Sequence, residues 1–409
     1  MAGGTQKLID KVNSNASSAT TITEVSQLAG VATILRGCNY DVVTSAACLP
    51  AAASNTGRMV AIDSGSGDVC YRFSDGFNWK CDYDSTSGIL QRQLWLVGIN
   101  SWGQLGNGVT GGQYDSPVTT AGGGTTWCQV SVGGYTYHTQ AIKTDGTLWG
   151  WGQNTGSYPM LGTGDGVGYN SPVTTAGGGT NWCQVSAGYY NSSAIKTDGT
   201  LWGWGRNNTA QLGDNSTIAR ASPITTAGGG TNWCQVSAGD AHTSAIKTDG
   251  TLWAWGYNGA GQLGNGNTTA VSSPVTTAGG GTTWCQVSAG ENHSMAIKTD
   301  GTLWTMGLNS LGQLGTGNTT AYSSPVTTAG GGTTWCAAVT GLRCFSMGIK
   351  TDGTLWGWGN GGSSQFNFMF PFGQGSASSP AASLFGTGWC QVAAGKCQSA
   401  AIKQVFKGF

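Results

Sequence analysis

An all-β propeller is the fold class this sequence predicts, on three observations: a motif returning at a nearly fixed period, abundant glycine, and hairpin turns at matching places. The string WCQV stands at Trp127, Trp182, Trp233 and Trp284, decays to WCAAV at Trp335 and returns as WCQVAAG at Trp389. The spacings are 55, 51, 51, 51 and 54 residues, the mark of one supersecondary unit used many times over. Six units predict six blades. Glycine supplies 71 of 409 residues, which suits short strands and tight turns and leaves helix to the N-terminus.

Residues 1–37 are the expected helical segment. In TITEVSQLAGVATIL, Thr21 and Glu24 form a capping box, and Ile22, Val25, Leu28, Val31 and Leu35 fall near one helical face. Two heptads are too few for a coiled coil, so the helix folds back on its own domain or associates with copies of itself. Residues 38–90 read as a small β module with strands around Arg58 to Ile62, Val69 to Phe73 and Phe77 to Tyr83. A hairpin turning at Asp75-Gly76 would set Cys70 opposite Cys81, a candidate disulfide if the register is the close, non-hydrogen-bonded one.

Residues 91–409 are the expected propeller. Its type unit, 233–283, runs WCQVSAG, HTSAIK, a TDG turn, TLWAWG, a GQLGNG loop, SPVTT and a GGG connector. Alternating apolar residues on either side of Asp-Gly are a hairpin signal, because Asp-Gly accepts the positive φ of a tight turn. SPVTT reads as a proline-started edge strand, giving four strands to the blade. Asp145, Asp198, Asp249, Asp300 and Asp352 occupy the turn, each two positions after a Lys, and read as structural turn chemistry. The last unit, WCQVAAGKCQSAAIKQVF, holds the first half of a blade, while RQLWLVGINSWGQLGNG at the start holds the second half. Pairing the two would close the ring through the terminal strands and leave no open edge.

The run AIKTDGTLWAWGYNGAGQLGNG, Ala245 to Gly266, resembles the propeller repeat of the regulator of chromosome condensation family, with GQLG again at Gly103 and Gly312 and AQLG at Ala210. The resemblance spans residues 91 to 409. Propellers of that family usually have seven blades, so seven is the alternative to the six counted. The resemblance also implies a possible guanine-nucleotide exchange activity on a small GTPase, performed in some members by an inserted wedge and acidic loops; neither is found in this sequence. Other members only bind partners.

Departures from the repeat mark candidate sites. Trp151, Trp204, Trp255 and Trp358 would suit sugar stacking, but Val97 and Met306 take the same place, so core packing explains the series better. His138, His242 and His293 share a position with Asn191 and Cys344, which reads as a hydrogen-bonding spot between blades and not a catalytic base. In the sixth unit GGSSQFNFMFPFGQG replaces GQLGNG and groups Phe366, Phe368, Met369, Phe370 and Phe372. That cluster is either a strand laid into the core or, if exposed, a contact patch. A milder insertion in the second unit brings Tyr158 and Met160 as further interface candidates.

Charged residues make up 9% of the chain, 18 basic against 18 acidic, whereas an average soluble domain carries about a quarter. No cationic face is available for nucleic acid or anionic membrane. No apolar stretch suits membrane insertion and the N-terminus lacks a secretory core, so synthesis in the cytosol is expected. Cys128, Cys183, Cys234, Cys285, Cys336 and Cys390 follow the repeat Trp; equivalent places in successive blades are beyond disulfide reach, so six free thiols are expected. The sequence gives no physical account of them. With three histidines, no arguable catalytic triad, no ligand-spaced metal cluster and no phosphate loop, neither enzyme activity nor a cofactor is expected. The leading helix, the LP…NTG…SDG module and the near-identical repeats together resemble, more loosely, tail or surface-fibre proteins of marine cyanobacterial viruses. That resemblance implies a virion component made in the host cytoplasm, whose N-terminal region joins itself or other virion subunits and whose propeller meets a host receptor or glycan. A microbial cell-surface appendage or adhesin subunit, extracellular or surface-bound, is the first alternative, and an intracellular exchange factor or scaffold the second.

Overall fold

The computed structural model describes residues 59–62, 69–72, 80–83, 90–122, 124, 126–133, 137–228, 230–341, 345–360, 376–384, 386–394 and 399–403. Among the described residues there is no α-helix. The helix expected over 21–35 and the Phe366 to Phe372 cluster lie outside the described residues.

Two ladders come first. Strand β1 (Met59–Ile62) pairs with β2 (Val69–Arg72), and β3 (Lys80–Tyr83) pairs with β4 (Leu90–Gln93). The expected turn at Asp75-Gly76 lies outside the described residues. Cys70 stands opposite Ala61 and Cys81 opposite Arg92 in these two ladders, and the turn on which the expected Cys70–Cys81 pair depends is outside the described residues.

A two-stranded sheet follows, β5 (Trp95–Ile99) with β6 (Gln113–Thr119). Five four-stranded antiparallel sheets then succeed one another among the described residues. Blade 1 holds β7 (Trp127–Val132), β8 (His138–Lys143), β9 (Leu148–Gly152) and β10 (Tyr169–Thr174); blade 2 holds β11 (Trp182–Ala187), β12 (Asn191–Lys196), β13 (Leu201–Gly205) and β14 (Arg220–Thr225). Blade 3 comprises β15 (Trp233–Ala238), β16 (His242–Lys247), β17 (Leu252–Gly256) and β18 (Val271–Thr276), and blade 4 comprises β19 (Trp284–Ala289), β20 (His293–Lys298), β21 (Leu303–Gly307) and β22 (Tyr322–Thr327). Blade 5 runs through β23 (Trp335–Thr340), β24 (Phe345–Lys350), β25 (Leu355–Asn360) and β26 (Ser376–Ala382), and a two-stranded sheet of β27 (Trp389–Ala394) and β28 (Ser399–Lys403) ends the series.

The hydrophobic core is divided among the seams between consecutive blades. Ile195 and Leu201 of blade 2, for example, pack with Trp233, Val236, Ala245 and Trp255 of blade 3. The first strands are tied together by side chains. Gln129, Gln184, Gln235 and Gln286 each accept, through Oε1, the backbone N–H of Val185, Val236, Val287 and Ala338 in the following blade, at 2.9–3.0 Å. Ser131, Ser186, Ser237 and Ser288 do the same two residues on. First strands of different blades cannot form a common ladder, so these side chains satisfy backbone donors that would otherwise be buried unpaired.

The cysteines now have a physical account. Between Trp182 and Gln184 the register with β12 slips, leaving Cys183 as the extra residue of a β-bulge. The same slip isolates Cys128, Cys234, Cys285, Cys336 and Cys390. Cys183, Cys234, Cys285 and Cys336 each donate S–H to an isoleucine carbonyl at 3.4 Å, and their sulfurs pack on the apolar seam of the next blade. A thiol is small, apolar and still a weak donor, which is what this bulge requires.

Candidate functional site

The repeated side chains hold blades to one another. Trp151, Trp204, Trp255 and Trp358 are fully or almost fully buried, and each indole N–H crosses a seam. Trp151 donates to the Gln104 carbonyl, Trp204 to Met160, Trp255 to Gln211 and Trp358 to Gln313, at 2.8–3.0 Å. Those carbonyls belong to the QLG loop of the preceding unit or its equivalent. Met160 therefore takes the place of a loop glutamine, and its fully buried side chain is not part of an exposed interface. Met306 is buried like the tryptophans, whereas Val97 is 55% exposed.

At the hairpin turn, Asp249 Oδ1 accepts both the N–H and the hydroxyl of Thr251, Thr251 Oγ1 accepts the Trp253 indole N–H, and Lys247 Nζ lies 4.3 Å from the Trp253 ring centre. Asp145, Asp198, Asp300 and Asp352 accept from their own threonines in the same way. The Thr hydroxyl holds the carboxyls of Asp198, Asp249, Asp300 and Asp352 below the usual range. Lysine over the indole face makes this second tryptophan series a cation–π clamp and closes that face to a ligand. Gly250 sits at φ +77°, and a Cβ there would strike the Thr282 carbonyl, so the turn needs glycine.

The histidine series lies at the other end of the second strand. His138, His242 and His293 contact the hydroxyls of Ser192, Ser294 and Ser346 in the next blade at 3.2, 2.8 and 3.0 Å. Each hydroxyl donates onward to a loop carbonyl, Met160, Gln262 or Gln313, so the imidazole Nε2 must be the donor to serine. Burial pushes the imidazoles of His138 and His242 down to about 3 and that of His293 to about 4, and they are neutral above pH 6. Asn191 shares this position, but the blade 5 residue is Phe345 and not Cys344: Phe345 pairs with Gly359 as His293 pairs with Gly307. A loop longer by one residue shifts the register. These buried groups bind blades, and none of them is a base presented to a substrate.

One quadrant breaks the repetition on the side carrying the loops before the second strands and after the third. Tyr158, exposed in the blade 1 insertion, stacks on Tyr190 of blade 2 with ring centres 4.5 Å apart and planes 31° apart. Tyr189 meets Tyr190 edge-on at 4.3 Å. The Arg206 guanidinium lies 5.6 Å from the Tyr158 ring and 5.4 Å from the Tyr190 ring, and its Nε donates to Asn208 Oδ1 at 2.6 Å. Burial raises the Asp240 carboxyl, opposed by the charge of Arg206. The Tyr189 phenol is raised by burial, then by its bond to Tyr190 and the charges of Asp240 and Glu291. An aromatic stack, a guanidinium and carboxylates supply stacking and hydrogen bonding, the chemistry of a binding surface. Tyr158 was legible in the sequence as an insertion; Tyr189, Tyr190, Arg206 and Asp240 were not, since each fills an ordinary loop place and only the fold collects them. Among the described residues no group of three His, Cys, Asp or Glu side chains is placed to hold a metal ion.

Profiles of the regulator of chromosome condensation (RCC1) repeat match residues 198–246, 249–297 and 300–341, and a second profile of the same description matches 182–211, 233–262 and 284–313. The ultraviolet-B receptor UVR8 of Arabidopsis thaliana is 30% identical over 60% of this chain and 56% of its own length. The E3 ubiquitin-protein ligase HERC2 of Homo sapiens is 30% identical over 51% of this chain and 4% of its own. The chain thus spans less than two thirds of either relative. A crystal structure of yeast RCC1 (Prp20) bound to Kap60 superposes with a TM-score of 0.66 at 19% identity, covering 82% of this chain and 81% of that one. Residues 182–341 are therefore repeats of the regulator of chromosome condensation type, carried on an all-β scaffold that folds like the propellers of that family.

Proposed function

We propose that the chain is a non-enzymatic structural and binding protein whose ring is a rigid scaffold and whose tyrosine-rich quadrant is the contact surface. The observation that carries this reading is the division of labour among its residues. The repeated His, Gln, Ser, Asp and Lys side chains are committed to turns and seams, and the departure from repetition gathers an aromatic stack, a guanidinium and carboxylates on one side. The looser likeness to viral tail and surface fibres makes a virion component the preferred setting, with host attachment or assembly as the role. Mass spectrometry of purified particles, washed cells and shed filaments from one culture tests it. Stoichiometric abundance in particles is expected; enrichment in cells or filaments alone would replace the virion with a surface appendage.

We further infer that β27–β28 and β5–β6 complete one composite blade, giving a six-bladed ring. Lys403 stands opposite Trp389 as Lys143 stands opposite Trp127, and Trp95, 45% exposed, takes the place that Trp149 holds in the clamp of blade 1. Deleting Ala400 to Phe409 removes that pairing and should open the ring, read as a larger hydrodynamic radius.

The repeats shared with UVR8, HERC2 and yeast RCC1 favour one second reading, an intracellular exchange factor or scaffold. It predicts binding to a small GTPase with faster nucleotide release, and release at the intrinsic rate from every GTPase tried would remove it.

A further inference from the structure

We draw no further inference here: the strongest candidate, the surface patch of Tyr158, Tyr189, Tyr190 and Arg206 on the loops of blades 1 and 2, belongs to the contact surface already described, and nothing in the structure shows what covers it.

Discussion

The seam between blades 2 and 3 and the seam between blades 3 and 4 are built from the same repeat and each lacks a different part. In the first, the Gln211 carbonyl receives both Trp255 and Thr243, but Asn191, in the histidine place, has neither amide atom bonded. In the second, His242, Ser294 and the Gln262 carbonyl form an unbroken chain, but Met306 stands where the donor tryptophan would be. The flanking seams, at Trp204 with His138 and Trp358 with His293, have both. A propeller seam thus combines two partly redundant devices, an indole that fills volume and donates, and an imidazole that relays a hydrogen bond. Losing either is tolerated where the other remains.

Acid should break the histidine seams first. The imidazoles titrate near 6.5 in the unfolded chain but only at about 3 or about 4 when folded. Below pH 6.5 the unfolded chain therefore binds protons that the folded chain does not, so stability falls as pH falls and goes on falling down to those lower values. At pH 5 the loss is about 2 kcal/mol per histidine, or about 6 kcal/mol for three acting together. Denaturant titrations at pH 7 and pH 5 measure it. An unchanged midpoint would mean that the imidazoles are hydrated and titrate normally.

Trp255→Ala should cost about 3–5 kcal/mol, because it empties an indole-sized volume and strips the Gln211 carbonyl of one donor. Met306→Ala should cost less, about 2–4 kcal/mol, since only volume is lost. Equal costs for the two would show that the indole bond contributes nothing to the seam.

The sequence made this architecture legible because repetition samples each place several times. A position accepting Trp and Met must be apolar, and Asp-Gly after AIK must turn a hairpin. What escaped it depends on pairing across distance or on a shift of one residue. Cys344 fell into the histidine series because the longer loop before β24 is invisible until register is seen. The thiols had no account because a bulge at Cys183 is a property of two strands, not one. Tyr190 and Arg206 looked ordinary because the stack joins different units, which no single repeat encodes.

The bulge can be tested at Cys234, which is buried and whose sulfur lies in the seam facing Trp284 and Val287. Cys234→Ala keeps the apolar contact and loses the S–H bond to the Ile246 carbonyl, so it should cost about 1 kcal/mol. Cys234→Ser keeps a donor but places a shorter, more polar group in the apolar seam, and should cost as much or more. Serine more stable than the parent would mean the thiol is held for its reactivity and not its packing.

The smallest expected effect is a gain. Met306→Trp would give the fourth blade the device that blades 1, 2, 3 and 5 have, with Ser294 already on the receiving carbonyl. Its indole N–H should reach the Gln262 carbonyl as Trp255 reaches Gln211, adding about 1 kcal/mol. The counterforce is space. Met306 Sδ already lies against the position a Cβ on Gly264 would take, but Trp255 meets Gly213, and Trp358 meets Gly315, in the same way without displacement of either loop. A rise in the thermal midpoint would show that the seam is open to the better donor. A fall would show that the third and fourth blades have settled at a spacing set by methionine, and that the seams between these blades are not interchangeable although their sequences nearly are.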